Sequence, residues 1–96
     1  MSGDKIEVEN VNTPGQVSRV DAAKYHAMKE AMLRVLEGAS PMSAQAIKDA
    51  AKAHLPDDLF PGGATSGWWV KCVQLDLEAK GVMLRHATKP LTFSLA

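Results

Sequence analysis

GWWVKCVQLDLEAKGVMLRHATKPLTFSL, residues 67–95, predicts a helix followed directly by a β-hairpin. Residues 68–80 contain neither proline nor glycine and carry apolar residues at helical spacing. Gly81 follows, where a residue with a left-handed backbone commonly ends a helix. The apolar runs 82–84 and 91–95 flank the short loop 86–90, which is typical of two antiparallel strands.

Two further helices are predicted upstream. Ser18 and Asp21 have the spacing of a capping box, so the first helix is expected to follow Ser18 and to run to about Glu37. Ser43 is the expected N-cap of a second helix that ends at about His54. The apolar face of the first helix consists of Tyr25, Met28, Met32, Val35 and Leu36.

The remaining segments are predicted to be irregular or extended. Residues 1–17 combine short apolar alternation, including Val11, with a turn-rich cluster that contains Pro14, and they predict an extended N-terminal arm. Residues 55–66 contain two prolines and two glycines and predict an irregular link. We therefore expect a mainly α fold with a small β-hairpin, a three-helix winged helix-turn-helix-like single domain over residues 18–96.

Composition limits the classes of function. The chain has 96 residues, which is enough for one domain, and its 11 basic and 11 acidic residues give no net charge. Dedicated nucleic-acid binders usually carry a basic excess, because phosphate neutralisation supplies much of their affinity. A single cysteine, a polar beginning and the lack of a long apolar run predict a cytoplasmic protein that does not associate with a membrane.

The third helix has two apolar stripes on nearly opposite sides. One must pack on the first two helices, and it consists of Val70, Val73 and Leu77. The other is either covered by the arm, the hairpin or the 55–66 link, or exposed as a partner surface, and burial is the commoner outcome. This second stripe consists of Trp68, Cys72, Leu75 and Ala79, of which Trp68 and Leu75 are the candidate partner contacts.

A DNA-binding reading uses the polar residues of the same helix and of the hairpin. Gln74 and Glu78 are expected to face solvent with Lys71, and Glu78 would repel phosphate. The candidate nucleic-acid contacts are Lys71, Gln74, Arg85, His86 and Lys89.

No pattern of catalytic or metal-ligating residues is present. The three histidines are far apart in sequence, and none is paired with another histidine or with cysteine at metal-ligand spacing. Cys72 lies mid-helix in an apolar stripe, which favours a buried, inert thiol. We therefore expect no enzyme activity, cofactor, metal or small-molecule substrate.

Several words in the chain resemble a family of small uncharacterised bacterial proteins. The resemblance implies a winged-helix-like architecture and an unknown function, with no catalytic motif to carry over. It rests mainly on LPDDLFPGGA at 55–64, GWWVK at 67–71 and VQLDLEAKGV at 73–82, with further similarity at 9–15, 20–25 and 88–91.

Two functions follow as hypotheses. The first is a non-enzymatic protein-interaction or dimerisation module, which fits the zero net charge and the second apolar stripe. The alternative is a DNA-binding transcriptional regulator that uses the third helix and the hairpin wing.

Overall fold

The computed structural model describes residues 4–10, 12–13, 15–38, 41–89 and 91–96. Within these residues the chain is a mixed α/β domain, 49% helical and 23% strand. The expected mainly α, winged-helix-like domain with a single small hairpin is therefore wrong. The α-helices and strands in chain order are β1 (Lys5–Glu9), β2 (Val17–Asp21), α1 (Ala22–Leu36), β3 (Met42–Ser43), α2 (Ala44–Ala51), α3 (Ser66–Ala79), β4 (Met83–His86) and β5 (Thr92–Leu95). Short 3-10 helices at Lys52–His54, directly after α2, and at Pro61–Gly63, within the link, complete the described elements.

The two-stranded first sheet is the main difference from the expectation. β1 lies in the expected arm of residues 1–17, and it pairs antiparallel with β2, most of which lies in the expected domain of residues 18–96. The β1–β2 hairpin therefore spans the expected boundary between arm and domain. Val8 lies opposite Ser18, which places Ser18 inside a strand and not at a helix cap. Asp21 caps α1 instead, because its side chain accepts a hydrogen bond from the backbone N–H of Lys24. Val11 and Pro14 lie outside the described residues.

The second sheet has three strands in the order β3-β5-β4. The predicted hairpin is present as β4 and β5, which pair antiparallel, although Pro90 of its loop lies outside the described residues. The two-residue strand β3 was not predicted, and it adds to β5 through Met42 opposite Phe93. Ser43 both ends β3 and caps α2, since its Oγ accepts from the N–H of Ala46.

The three predicted helices are present, and α3 ends as the sequence indicates. Gly81 has a φ of +76°, in the left-handed region. Its N–H donates to the carbonyl of Glu78 at 3.1 Å, and the N–H of Val82 donates to that of Leu77 at 2.8 Å. This pair of bonds is a Schellman motif, which turns the chain from α3 into β4.

The core lies between the three helices and the inner faces of both sheets. The three helices and the strands β1, β4 and β5 contribute buried apolar side chains, including Val8 from β1 and Phe93 from β5, and Val20 of β2 and Met42 of β3 pack against them partly buried. Phe60 of the 55–66 link is also buried, and its ring anchors the link to the core. The predicted faces are confirmed by the burial of Tyr25, Met28, Met32 and Leu36 in α1 and of Val70, Val73 and Leu77 in α3.

Candidate binding groove along the third helix

The second apolar stripe of α3 is covered at one end and exposed at the other. The β1–β2 hairpin packs against α3, and Cys72, Leu75 and Ala79 are half-buried. Trp68, one turn before Cys72, keeps 58% of its surface exposed. Both outcomes considered for this stripe therefore occur, each along part of the helix.

A cavity of about 360 Å³ lies between the hairpin and α3 and is here called the Trp68 cavity. Val8 and Val20 of the hairpin line it from one side, and Trp68, Cys72 and Leu75 of α3 line it from the other. Polar side chains of the β1–β2 hairpin, among them Gln16, Ser18 and the acidic Glu9, form its rim. The cavity is large enough for an apolar side chain, which would pack against the exposed indole.

The neighbouring indole holds Trp68 in place. Trp69 is 7% exposed, and its ring meets that of Phe60 edge-to-face at a centroid distance of 6.4 Å. The Trp68 ring stands edge-to-face on Trp69 at 4.9 Å. Trp69 is therefore the core anchor and Trp68 a supported surface ring.

A second cavity of about 600 Å³ continues along α3 and is here called the lysine cavity. Gly67, Lys71 and Leu75 form one row along α3 and line both cavities, so the two cavities lie side by side, and together they are here called the groove. Lys48 of α2 and Arg85 of β4 also line the lysine cavity. Among the residues that the structure describes, no acidic side chain lines it.

Two of the candidate nucleic-acid contacts are held by Glu78. Arg85 donates from Nε to Oε1 of Glu78 at 2.8 Å and from a terminal nitrogen to Oε2 at 3.1 Å. Gln74, only 6% exposed, donates from Nε2 to the same carboxylate at 3.1 Å. The hydrogen bond to Glu78 raises the pKa of Arg85. The expectation that Gln74 and Glu78 face solvent is therefore wrong.

The other three candidates lie apart from this cluster. His86 follows Arg85 in β4, and successive strand residues point to opposite faces of a sheet. Its Nε2 lies 2.8 Å from Oγ of Ser94. Lys89 is exposed beyond the end of β4, and Lys71 is exposed in the groove. The structure thus brings Lys71, Gln74 and Arg85 to the lysine cavity and leaves His86 and Lys89 outside it.

Asp76 is a buried polar residue that sequence reasoning missed. It is 0% exposed, and it accepts hydrogen bonds from the phenol of Tyr25 and from the backbone N–H of Glu9, the latter at 2.8 Å. Lys80 completes the set, with Nζ 2.9 Å from Oδ1. Asp76 therefore ties β1 and α1 to the helix that forms the groove. Its position between the buried residues Val73 and Leu77 was the available signal.

Burial controls the chemistry of two groups near the groove. Burial and, as the second cause, the charge of Asp76 together raise the pKa of the Cys72 thiol to about 11. Burial also raises the pKa of Tyr25, with the hydrogen bond to Asp76 as the next cause. Cys72 is half-buried, less than the full burial expected, and its thiol is protonated at neutral pH.

Neither a metal-ligating cluster nor a membrane-spanning helix occurs in the described part of the chain. Its residues contain no group of three or more His, Cys, Asp or Glu side chains placed to hold a metal ion. No described helix is both long and apolar enough to cross a bilayer.

The family model described as "Family of unknown function (DUF6958)" matches residues 5–93. The chain therefore belongs to this family. No curated protein and no solved structure matches the chain.

Proposed function

We propose that the protein is a non-enzymatic protein-interaction module, which binds a segment of a partner protein in the groove along α3. The observation that supports this function best is the exposure of Trp68 beside an apolar cavity. A large aromatic ring that stays in water costs free energy unless a partner covers it, and aromatic residues dominate the energetics of interfaces.

The groove has the other features of a peptide site. Its apolar floor would take one anchoring side chain, and the polar rim of the hairpin offers hydrogen bonds to a peptide backbone. The rings beneath Trp68 limit its motion, so little entropy is lost when a partner binds.

The regulator alternative has less support. Arg85 and Gln74 are both engaged by Glu78, so a DNA contact by either would compete with an internal bond. The β1–β2 hairpin also packs on α3 and would lie between much of that helix and a DNA groove. An enzymatic role for Cys72 is disfavoured because its raised pKa keeps the nucleophilic thiolate scarce.

A cytoplasmic setting is part of the same proposal. The single cysteine fits a reducing compartment, and the resemblance to small bacterial proteins supports a bacterial cytoplasm.

Selection of random peptides displayed on phage tests this function. We expect the immobilised full chain to enrich peptides that share an apolar residue, and Trp68→Ala to abolish this enrichment. Leu84→Ala is the matched control, because Leu84 is 48% exposed but does not line either cavity. Equal enrichment by Trp68→Ala would contradict the proposal. So would sub-micromolar binding of random duplex DNA without any peptide enrichment.

Self-association is tested in the same series by sedimentation. A dimer of the parent chain that Trp68→Ala converts to monomer would show that a second copy occupies the groove. That result would make the occupant of the groove a second copy of the chain and not a segment of a different protein.

A further inference from the structure

We infer that the partner segment is acidic, with carboxylates placed a few residues from its apolar anchor. This inference rests on the proposed function, because it assigns the chemistry of the occupant of the same groove. The groove has an apolar half at Trp68 and a cationic half at the lysine cavity. An occupant that fills both must therefore carry an apolar group and negative charge.

The charge of the lysine cavity is carried mainly by two lysines. Arg85 is paired with the nearly buried carboxylate of Glu78, so its charge is largely balanced. Among the described residues, neither Lys48 nor Lys71 has an ion-pair partner. These two ammonium groups therefore remain available to an incoming anion.

The position of Lys48 is set by the start of α3. A Cβ added at Gly67 would lie 3.6 Å from Cδ of Lys48, so the lysine stem runs beside this glycine. Lys71 lies one helical turn after Gly67 and lines both cavities. The cationic groups are thus next to the apolar cavity, which fits carboxylates close in sequence to the apolar anchor.

Peptide chemistry fits this groove better than a nucleic acid or a lipid. Two unbalanced lysines neutralise few phosphates, whereas nucleic-acid affinity grows with the number neutralised. The rim of the β1–β2 hairpin supplies amide and hydroxyl groups from Asn10, Gln16 and Ser18, which suit a peptide backbone and not an acyl chain. Glu9 also lines the Trp68 cavity and would repel an anion there, so the carboxylates of the segment belong at the lysine cavity, which no described acidic side chain lines. Charge complementarity therefore favours an acidic polypeptide.

The test repeats the phage selection with a charge variant. We expect the parent chain to enrich Asp and Glu beside the apolar position. Lys48→Gln/Lys71→Gln should keep the apolar enrichment and lose the acidic one. Lys5→Gln/Lys89→Gln is the matched control, because it removes the same charge from residues that line neither cavity. Acidic enrichment that survives the first double variant would overturn the inference.

Synthetic peptides then give the size of the effect. The probes are a Leu-Gly-Asp-Asp peptide and its Leu-Gly-Asn-Asn counterpart, and binding is followed by indole fluorescence. Each lysine replaced should weaken binding of the aspartate peptide by up to about five-fold and leave the asparagine peptide unchanged. Raising salt from about 0.05 M to about 0.5 M should remove most of this difference, since screening shortens the range of the charges.

The outcomes separate the two proposals. Apolar enrichment that depends on Trp68 but shows no preference for Asp or Glu overturns this inference alone. If none of the enrichment by the parent chain depends on Trp68, the proposed function is overturned, and the inference with it. Binding of anionic lipid vesicles or of duplex DNA that depends on Lys48 and Lys71, without binding of the aspartate peptide, overturns the acidic segment in favour of that ligand.

Discussion

Single residues decide which parts of α3 are structural and which are available for binding. Asp76 is fully buried and joins α3 to α1 and to β1 through Tyr25 and the backbone of Glu9. Trp68, on the same helix, keeps most of its ring in solvent. The turn of α3 with Asp76 therefore holds the β1–β2 hairpin, which forms one wall of the groove. The turn with Trp68 presents the proposed contact surface.

Tyr25→Phe tests the structural role of Asp76. The phenol would be lost while the buried carboxylate kept its bonds to Lys80 and to the N–H of Glu9. Hydrogen bonds to charged groups contribute about 1.5–3 kcal/mol, so the free energy of unfolding should fall by that amount in urea denaturation. Met28→Leu is the control for a change in the same helix face, with an expected cost below about 1.5 kcal/mol. A Tyr25→Phe protein as stable as the parent would contradict this account of Asp76.

Cys72 should react slowly with thiol reagents in the native protein. A rise of its pKa from the ordinary value of 9.0 to about 11 lowers the thiolate fraction at neutral pH roughly 100-fold. The more basic thiolate is about 10-fold more nucleophilic, so labelling should be roughly 10-fold slower than in the unfolded chain, before access is considered. Native and urea-unfolded rates of reaction with an aromatic disulfide measure the ratio. Equal rates would show an exposed, unperturbed thiol.

The same shifts predict a loss of stability in alkali. The pKa values of Cys72 and Tyr25 are higher in the folded chain, so the unfolded chain releases these protons first as pH rises. Stability is therefore fully present below about pH 9, the ordinary thiol value, and falls as pH rises through the folded pKa of Cys72 at about 11. Melting temperatures across this range measure the effect, and Cys72→Ala should flatten its first part. A melting temperature that rises over the range would contradict the direction.

At the scale of elements, Gly81 and Gly67 differ in whether the backbone conformation requires a glycine. Gly81 has a φ of +76°, and a Cβ at this position would meet no atom within 4 Å, so only its backbone conformation excludes other residues. Gly81→Ala should lower the free energy of unfolding by about 1 kcal/mol. Gly67→Ala is the contrast, because Gly67 is helical and its Cβ would make only ordinary contact with Lys48. It should stabilise α3 by about 0.5–1 kcal/mol, and the reverse order of the two variants in chemical denaturation would contradict this reading of the turn.

The sequence predicted the helices better than the sheets. The periodicity of residues 68–80 and the position of Gly81 were enough for α3, since both are local signals. The first sheet was missed because Ser18 and Asp21 resemble a capping box, while the pairing of Val8 with Ser18 that overrides it is not local. β3 is two residues long and has no periodicity to detect.

The site was predicted in part for the same physical reason. Trp68 and Leu75 were identified as partner contacts from the second stripe, and both line the groove. Lys48 was missed because it comes from a different helix, and only the fold brings it beside Lys71. Gln74 and Glu78 were assigned to solvent because helical periodicity does not show that Glu78 accepts hydrogen bonds from both Arg85 and Gln74.

At the scale of the whole molecule, the groove is assembled from both ends of the sequence. The hairpin of β1 and β2 forms one wall of the Trp68 cavity, and α2 and β4 contribute to the lysine cavity. α3 is shared by both cavities and by the core. The proposed binding surface and the core therefore occupy different faces of one helix.

The two tryptophans test this separation. Trp69→Ala should cost about 3–5 kcal/mol because a buried ring is lost. Trp68→Ala should cost only about 1 kcal/mol, the value of an edge-to-face ring pair, and shift the melting temperature by about 4–8 °C. Thermal denaturation of both variants measures the difference. Equal losses of stability would place Trp68 in the core and remove it from the proposed surface.

The most direct test of the groove is to map a bound peptide on the intact protein by ¹H–¹⁵N correlation spectra. The ligand is the peptide enriched most strongly by the parent chain. Binding in the groove predicts shifts of the Trp68 indole N–H and of the backbone amides of Lys71 and Leu75, with the amides of Arg34 and His54, which line neither cavity, unmoved. Shifts confined to Arg34 and His54, or to any surface away from α3, would contradict the claim that this groove is the binding site.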